Sequence, residues 1–260
     1  MAMKTVVVAN QKGGVGKTTT VRGLGFHALD QGKRTLLIDL DPQRNLTKTA
    51  LAVRQRNLGN QPIPADALTA SGLFDSQVTR QPLDCGNGLF LIAADRDLVD
   101  VAKLPLETMI NPRTVLARFK HEFDVAFIDT APTLGQPLYA ALIAGDCVVC
   151  PCDMDQDAID GLTDLFEDIT RVQQLWNPEL APLGVLATKV NSRRSFDVKS
   201  LKAMRGQLGD LLIDTVLYER AATKYAKHHA VWYAQRGESH MRAAQEMRAV
   251  CSTIFDKAMI

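Results

Sequence analysis

Short apolar runs rich in β-branched residues alternate along the chain with longer segments of helical period. That rhythm predicts an α/β fold, a mostly parallel twisted sheet flanked by helices on both faces. Strands are predicted over 5–10, 35–40, 89–93, 125–129, 147–151, 183–189 and 213–217. Most are apolar at consecutive positions, as burial on both faces of a sheet requires. A helix is predicted over 17–31, where Val21, Leu24, Ala28 and Leu29 share a face and Gly32 closes the end. Another is predicted to start at Pro112 with Asn111 as its cap. Further helical segments cover 138–144, 159–176, 198–208 and 238–259. The stretch 55–88 has weak periodicity and carries Pro62 and Pro64, so it is predicted to be loop with short helices. No repeat or linker divides the chain, and residues 1–260 are expected to form a single domain.

Composition narrows this picture only a little. With 260 residues and 46% hydrophobic positions, the chain can bury a substantial core. The formal net charge of +1 announces neither a nucleic-acid nor a membrane partner for the molecule as a whole, so any such surface must be local. Met1 leads almost directly into "KTVVVAN", without a signal-peptide pattern. No apolar run approaches the roughly 20 residues that span a bilayer. The five cysteines do not form a disulfide ladder, and a reduced cytosolic setting fits them best.

The candidate chemistry begins at "NQKGGVGKTTT", Asn10 to Thr20, between the first predicted strand and the first predicted helix. Gly13, Gly14 and Gly16, with Val15 between them, let the backbone wrap tightly and aim its N–H groups inward. The helix that follows adds the positive end of its dipole, which makes an anion site. Lys17 is placed for the β and γ phosphates of a nucleotide, Thr18 for a magnesium ion and Thr19 for the α phosphate. The general pattern G-x-x-x-x-G-K-[ST] is varied here, because Gln11 stands at its first glycine. Lys12 is a second lysine that this pattern does not require.

The run K-G-G-V-G-K-T, Lys12 to Thr18, resembles the deviant Walker A ATPases, the ParA and MinD group of P-loop proteins. The resemblance implies that Lys12 reaches into the partner subunit's site and contacts its phosphates. Two subunits would then close over two ATP molecules. A second cation carried in from outside the loop is useful only against a bound triphosphate, which would make dimerisation depend on ATP. "LLIDLDPQRN", Leu36 to Asn45, is similar to the family's D-x-D-P-Q segment. A carboxylate at the end of a strand beside the phosphate loop can orient the attacking water. Asp41 is assigned that role, and Asp39 is placed nearer the magnesium shell. "FDVAFIDTAP", Phe123 to Pro132, resembles a Walker B strand, which makes Asp129 a magnesium residue. The family commonly has D-x-P-P there, and Ala131 replaces the first of those prolines.

Farther along, "ATKVNSRRS" offers Asn191 as a candidate adenine contact, with Thr188 beside it, or simply the polar end of a strand. "LYERAATKYAKHHA" resembles the family's Pro-Arg segment with Glu219 in place of the proline. The segment holding Asp153 and Gln156 is implied to lie near the dimer seam. Two basic sets stand out: Arg193, Arg194, Lys199, Lys202 and Arg205, opposed only by Asp197, and then Arg220, Lys224 and Lys227 with His228 and His229. A charge run is ordinarily a solvated helix face. The resemblance implies non-specific DNA binding instead, strengthened when a dimer doubles the patch. It also implies a ParB-type centromere-binding partner that stimulates a slow ATPase, and a nucleoid-associated protein in the cytoplasm. Nothing precedes the first strand, so no helix-turn-helix arm is expected.

Three rival readings remain distinct. One is a MinD-like or other positioning ATPase acting on a membrane or protein cargo, and the MinD-like group ends in a short amphipathic helix with a basic polar face for lipid. The last predicted helix, with Met241, Ala244, Met247, Cys251 and Ile254 on one side, has few cations near its end, and no stable membrane anchor is expected. A redox ATPase would use "GDCVVCPCD", but alternate residues of a strand point to opposite faces, so Cys147, Cys150 and Cys152 do not converge on one metal. A scaffold that only binds nucleotide would not need Lys17, Asp41 and Asp129 together.

Overall fold

The computed structural model describes residues 2–133, 135–226, 229–233 and 238–260, with the backbone alone described at 156–160, 233, 238 and 239. The chain runs through β1 (Lys4–Val8), α1 (Lys17–Asp30), β2 (Thr35–Leu40), α2 (Asn45–Leu58), β3 (Leu83–Asp84), β4 (Leu89–Ile92), α3 (Asn111–Ala117) and β5 (Val125–Thr130). It continues through α4 (Gln136–Ala144), β6 (Cys147–Cys152), α5 (Gln156–Leu175), β7 (Ala181–Ala187), α6 (Ser195–Leu208), α7 (Ala221–Tyr225) and α8 (Glu238–Ala258). The sheet order is β3-β4-β2-β5-β1-β6-β7, and every neighbouring pair is parallel except β3 with β4.

The consecutive apolar positions of the strands are explained by two cores, one on each face of the sheet. Val7, Leu36, Ile38, Ala126, Ile128, Val148 and Cys150 belong to one, under α4 and α5. Val6, Val8, Leu37, Val125, Phe127, Val149 and Cys147 belong to the other, under α1 and α8. Strand pleating sends neighbouring residues to opposite faces, so both sets must be apolar. Cys147 therefore faces away from Cys150 and Cys152, as the alternation predicted. All five cysteines are free and buried. The last helix packs on the domain through Met247, Cys251 and Ile254, while Met241 is exposed. Among the described residues no helix is long and apolar enough to cross a membrane.

Gly32 closes α1 as expected: its N–H bonds the Leu29 carbonyl, and the Lys33 N–H bonds that of Ala28. Three expectations are corrected. Helix α2 replaces an unassigned stretch that reaches into the predicted loop over 55–88. Residues 213–217 are not a regular strand. They follow β7 with bonds from Ile213 N to Val185 O and Leu217 N to Ala187 O, and bridges at Val185–Leu212 and Val190–Tyr218. Between those bridges this segment advances one residue more than its neighbour, which breaks the ladder. Asn111 does not cap α3; it is already helical, and its side-chain amide donates to Phe74 O at 2.7 Å.

Candidate nucleotide-phosphate site

Strand β1 lies between β5 and β6, and its C-terminal end opens into the glycine loop, the position where ligands bind in doubly wound sheets. Gly14 and Gly16 hold φ of 78° and 99°, the left-handed region that excludes most side chains. Helix α1 begins directly after Gly16 with no side-chain cap, so its first N–H groups face the loop and are available to an anion.

Two side chains brace this loop from the sheet. Asn10 donates its amide to Pro151 O at 2.7 Å and accepts the Lys12 N–H at 2.8 Å. Thr188, at the end of β7, donates its hydroxyl to Val15 O at 2.6 Å. The loop is thereby tied to both β6 and β7 before any ligand arrives.

Lys17 is 6% exposed and donates to Asn10 O at 2.8 Å and Lys12 O at 2.9 Å. Burial lowers the pKa of its ammonium, and the carboxylates of Asp129 and Asp41 act in the opposite direction. Lys12 points elsewhere: its ammonium lies 2.8 Å from Asp155 and 3.7 Å from Asp153, just past β6. The two lysines of one loop thus have different partners, Lys17 the loop's own carbonyls and Lys12 the carboxylates just past β6.

The carboxylates converge on the same end of the sheet. Asp39 and Asp129 are register partners on β2 and β5. Asp129 accepts the Thr18 hydroxyl on Oδ2 at 2.6 Å, while its buried Oδ1 has no hydrogen-bond partner among the described residues. Burial, and then the charge of Asp39, raise the Asp129 carboxyl well above the ordinary range. Asp39 accepts both the N–H and the hydroxyl of Thr47, at 2.8 and 2.7 Å, and the Asp41 N–H at 3.1 Å. Burial pushes its carboxyl up to about 6 against those hydrogen bonds. Asp41, 8% exposed, accepts the Gln43 N–H at 2.9 Å. Asp39 therefore fastens the start of α2.

A cavity of about 780 Å³ opens beside the loop, lined by Gly16, Thr18, Thr19, Arg22, Lys48, Thr188, Lys189, Glu219 and Arg220 among others. Asn191 lies outside that lining. Its side-chain oxygen accepts the Arg193 N–H at 3.0 Å, and its own N–H is held by Asp197 at 2.8 Å. Asp197 is buried on this turn, so it does not oppose the basic set in solvent. Arg193, Arg194, Lys199, Lys202 and Arg205 are all exposed. In the second set, Arg220 is held by Glu246 in a two-point pair at 2.6 and 3.2 Å, and Lys224 by Glu219 at 2.7 Å. Lys227 and His228 lie outside the described residues, as does the side chain of Gln156.

Sequence reasoning missed Asn10, Thr47, Arg22, Lys48 and Lys189. Asn10 and Thr47 sit within or just after motifs already singled out, and their short polar side chains next to a glycine loop and a D-x-D-P-Q segment were the available signal. Arg22 and Lys48 join the cavity only because α1 and α2 pack together.

This fold and this loop define a P-loop nucleotide-phosphate-binding protein. The AAA domain family AAA_31 matches residues 3–182. Protein IncC of Escherichia coli is 33% identical over 267 residues, covering 99% of this chain and 71% of IncC. The chromosome partitioning protein ParA of Caulobacter vibrioides is 32% identical over 220 residues, covering 83% of this chain and 80% of that one. Cobyrinic acid a,c-diamide synthase from Mycobacterium smegmatis, solved with an ATP analog and magnesium, superposes with a TM-score of 0.74 at 26% identity, covering 97% and 94% of the two chains. The chain belongs to the AAA_31 family and is a ParA-type P-loop ATPase.

Proposed function

We propose that the protein is a DNA-segregation ATPase: magnesium and ATP close two subunits into a sandwich, the dimer binds DNA without sequence preference, and hydrolysis releases it. The observation that carries this reading is that the two loop lysines have different partners. Lys17, folded onto the carbonyls of Asn10 and Lys12, is assigned to its own subunit's phosphates. Lys12, paired with Asp153 and Asp155 past β6, leaves those loop carbonyls to Lys17, which supports assigning it to the partner subunit's site.

The residues present suit a magnesium ion. The Thr18 hydroxyl and the unpartnered Oδ1 of buried Asp129 are oxygen donors on one side of the phosphate loop. Thr18 would hold the ion directly and Asp129 through water, and the ion would neutralise charge across the β and γ phosphates. The protein's own groups do the rest. Loop N–H groups and Lys17 fix the triphosphate, Thr19 binds the α phosphate, and Asp41 orients the attacking water. Lys12 of the partner subunit stabilises the charge that develops on the γ phosphate.

The exposed set Arg193, Arg194, Lys199, Lys202 and Arg205 is the proposed DNA surface, with a ParB-type protein as the stimulating partner and the nucleoid as its location. Sizing the protein with ADP and with ATP, in the presence of DNA at two salt concentrations, tests the whole cycle. Dimers with ATP alone, and DNA-bound dimers that fall apart as salt rises, are the expected result. A monomer under every condition would overturn the reading.

A further inference from the structure

Gln11 stands where the general phosphate-loop pattern has a glycine, and its side chain has a specific destination. Its amide donates to Oδ2 of Asp168 at 3.2 Å. Asp168, on α5, is only 6% exposed. Its other oxygen accepts the Tyr139 hydroxyl of α4 at 2.6 Å, and Arg171 approaches the same oxygen at 3.4 Å. One buried carboxylate thus joins the flank of the phosphate loop to two helices far away in the chain. The residue that follows Gln11 supplies the carbonyl that accepts Lys17.

We infer that Asp168 is a positioning residue of the ATP site, acting through Gln11 on the Lys12 carbonyl and so on the Lys17 ammonium. The reasoning is geometric. A side chain at position 11 gives the loop a handle that glycine lacks, and a carboxylate removed from water gives that handle a strong, directional acceptor. With the handle held, Lys12 keeps its carbonyl toward Lys17. Without it, Lys17 loses one of its two carbonyl anchors and must be ordered when nucleotide binds. The effect on affinity is that of one charge-assisted hydrogen bond, about tenfold. Tyr139 and Arg171 satisfy the rest of the carboxylate and contribute to packing, not to loop geometry.

The inference rests on the ATP-binding reading, and the test separates the two. Equilibrium binding of a slowly hydrolysed ATP analogue with magnesium is measured on the full chain, together with thermal midpoints. Q11A and D168A are each expected to weaken binding about tenfold, and the double variant no further, because both remove one link. Q11E sets two carboxylates against each other and is expected to weaken binding at least as much. Combining Q11E with D168N restores a donor–acceptor pair of unchanged total charge, and affinity is expected to return to within about threefold of wild type. Y139F is expected to lower the thermal midpoint and leave affinity unchanged. If D168A does not fold, the Q11E and Q11E/D168N pair decides alone. Multiplying effects in the double variant, no recovery in Q11E/D168N, or a Y139F loss as large as that of Q11E would overturn the inference. A wild type that binds no analogue overturns the ATPase reading and this inference with it, whereas a wild type that binds while Q11E binds equally well overturns this inference alone.

Discussion

The phosphate loop and the basic strip of α6 use cations in opposite ways. In the loop, Lys17 is buried and both lysines have close partners before any ligand is present. On the strip, Lys199, Lys202 and Arg205 stand in solvent, and none of them joins an ion pair among the described residues. The loop is built by glycine backbone geometry and by the side-chain braces of Asn10 and Thr188. The strip's cations, without ion-pair partners among the described residues, suit any regular array of phosphates. Specific, geometry-dependent effects are expected from the first region and graded, salt-dependent ones from the second.

The largest expected effect is at Lys17. Lys17→Ala should weaken ATP binding by about 100-fold or more, since a buried charge-assisted donor to phosphate is lost; calorimetric titration with the nucleotide measures it. Lys12→Ala should keep ATP affinity within about threefold, because its ammonium is engaged by Asp153 and Asp155 and not by the loop carbonyls of its own site. That variant should nevertheless lose ATP-dependent dimerisation and hydrolysis. A Lys12 variant with normal dimers would erase the distinction between the two lysines.

Asp129→Asn sharpens the comparison from the side of stability. Burial and Asp39 raise the folded-state pKa of Asp129, so the folded protein binds more protons than the unfolded chain. Stability then falls as pH rises from the ordinary carboxylate value through the raised one. Removing that charge should raise the thermal midpoint of the metal-free protein at neutral pH by about 5 °C. The gain should shrink on acidification, and magnesium-dependent hydrolysis should be lost. Calorimetric scans across pH with and without magnesium nucleotide measure both signs.

The smallest effects are expected on the strip. Replacing Lys199, Lys202 or Arg205 singly by alanine should leave the thermal midpoint unchanged and lower the slope of log affinity for DNA against log salt by about 0.9 each. Arg220→Ala should behave differently, costing stability through Glu246 more than it costs DNA affinity. Equal losses at Arg220 and Lys202 would mean that exposure does not distinguish the two basic sets.

How much of this was legible depends on how local the cause is. Strand 35–40 was read to the residue because its side chains are apolar on both faces and Asp39 follows within the run. The loop, Asp41 and Asp129 were legible because glycines, a lysine and carboxylates mark strand ends within a few residues of each other. Helix α2 was not. Its buried face includes Thr47, Thr49 and Arg54, and Arg54 is satisfied by the carbonyls of Asp84, Gln61 and Pro62. Leu46, Ala50 and Val53 do recur at helical spacing, but with Thr47, Thr49 and Arg54 buried among them the apolar period is short and diluted. Residues 213–217 have the composition of a strand, but a one-residue slip against β7 spoils the ladder, and slips are invisible without the neighbour. Lys12 with Asp155, and Gln11 with Asp168, are contacts between segments more than a hundred residues apart that no spacing rule anticipates.

The thiols of β6 lie within the sheet, covered on both faces. Burial pushes Cys147, Cys150 and Cys152 up to about 12, so neither access nor thiolate is available to an alkylating reagent while the sheet is closed. Cys85 is equally buried and its thiol is likewise pushed up to about 12, but it sits beside the short β3 at the sheet edge, where fraying needs least opening. Labelling should therefore proceed in two waves, an early one from edge fraying and a late one from whole-domain opening. Their ratio offers a clock, read by mass, for how firmly nucleotide locks the centre of the molecule.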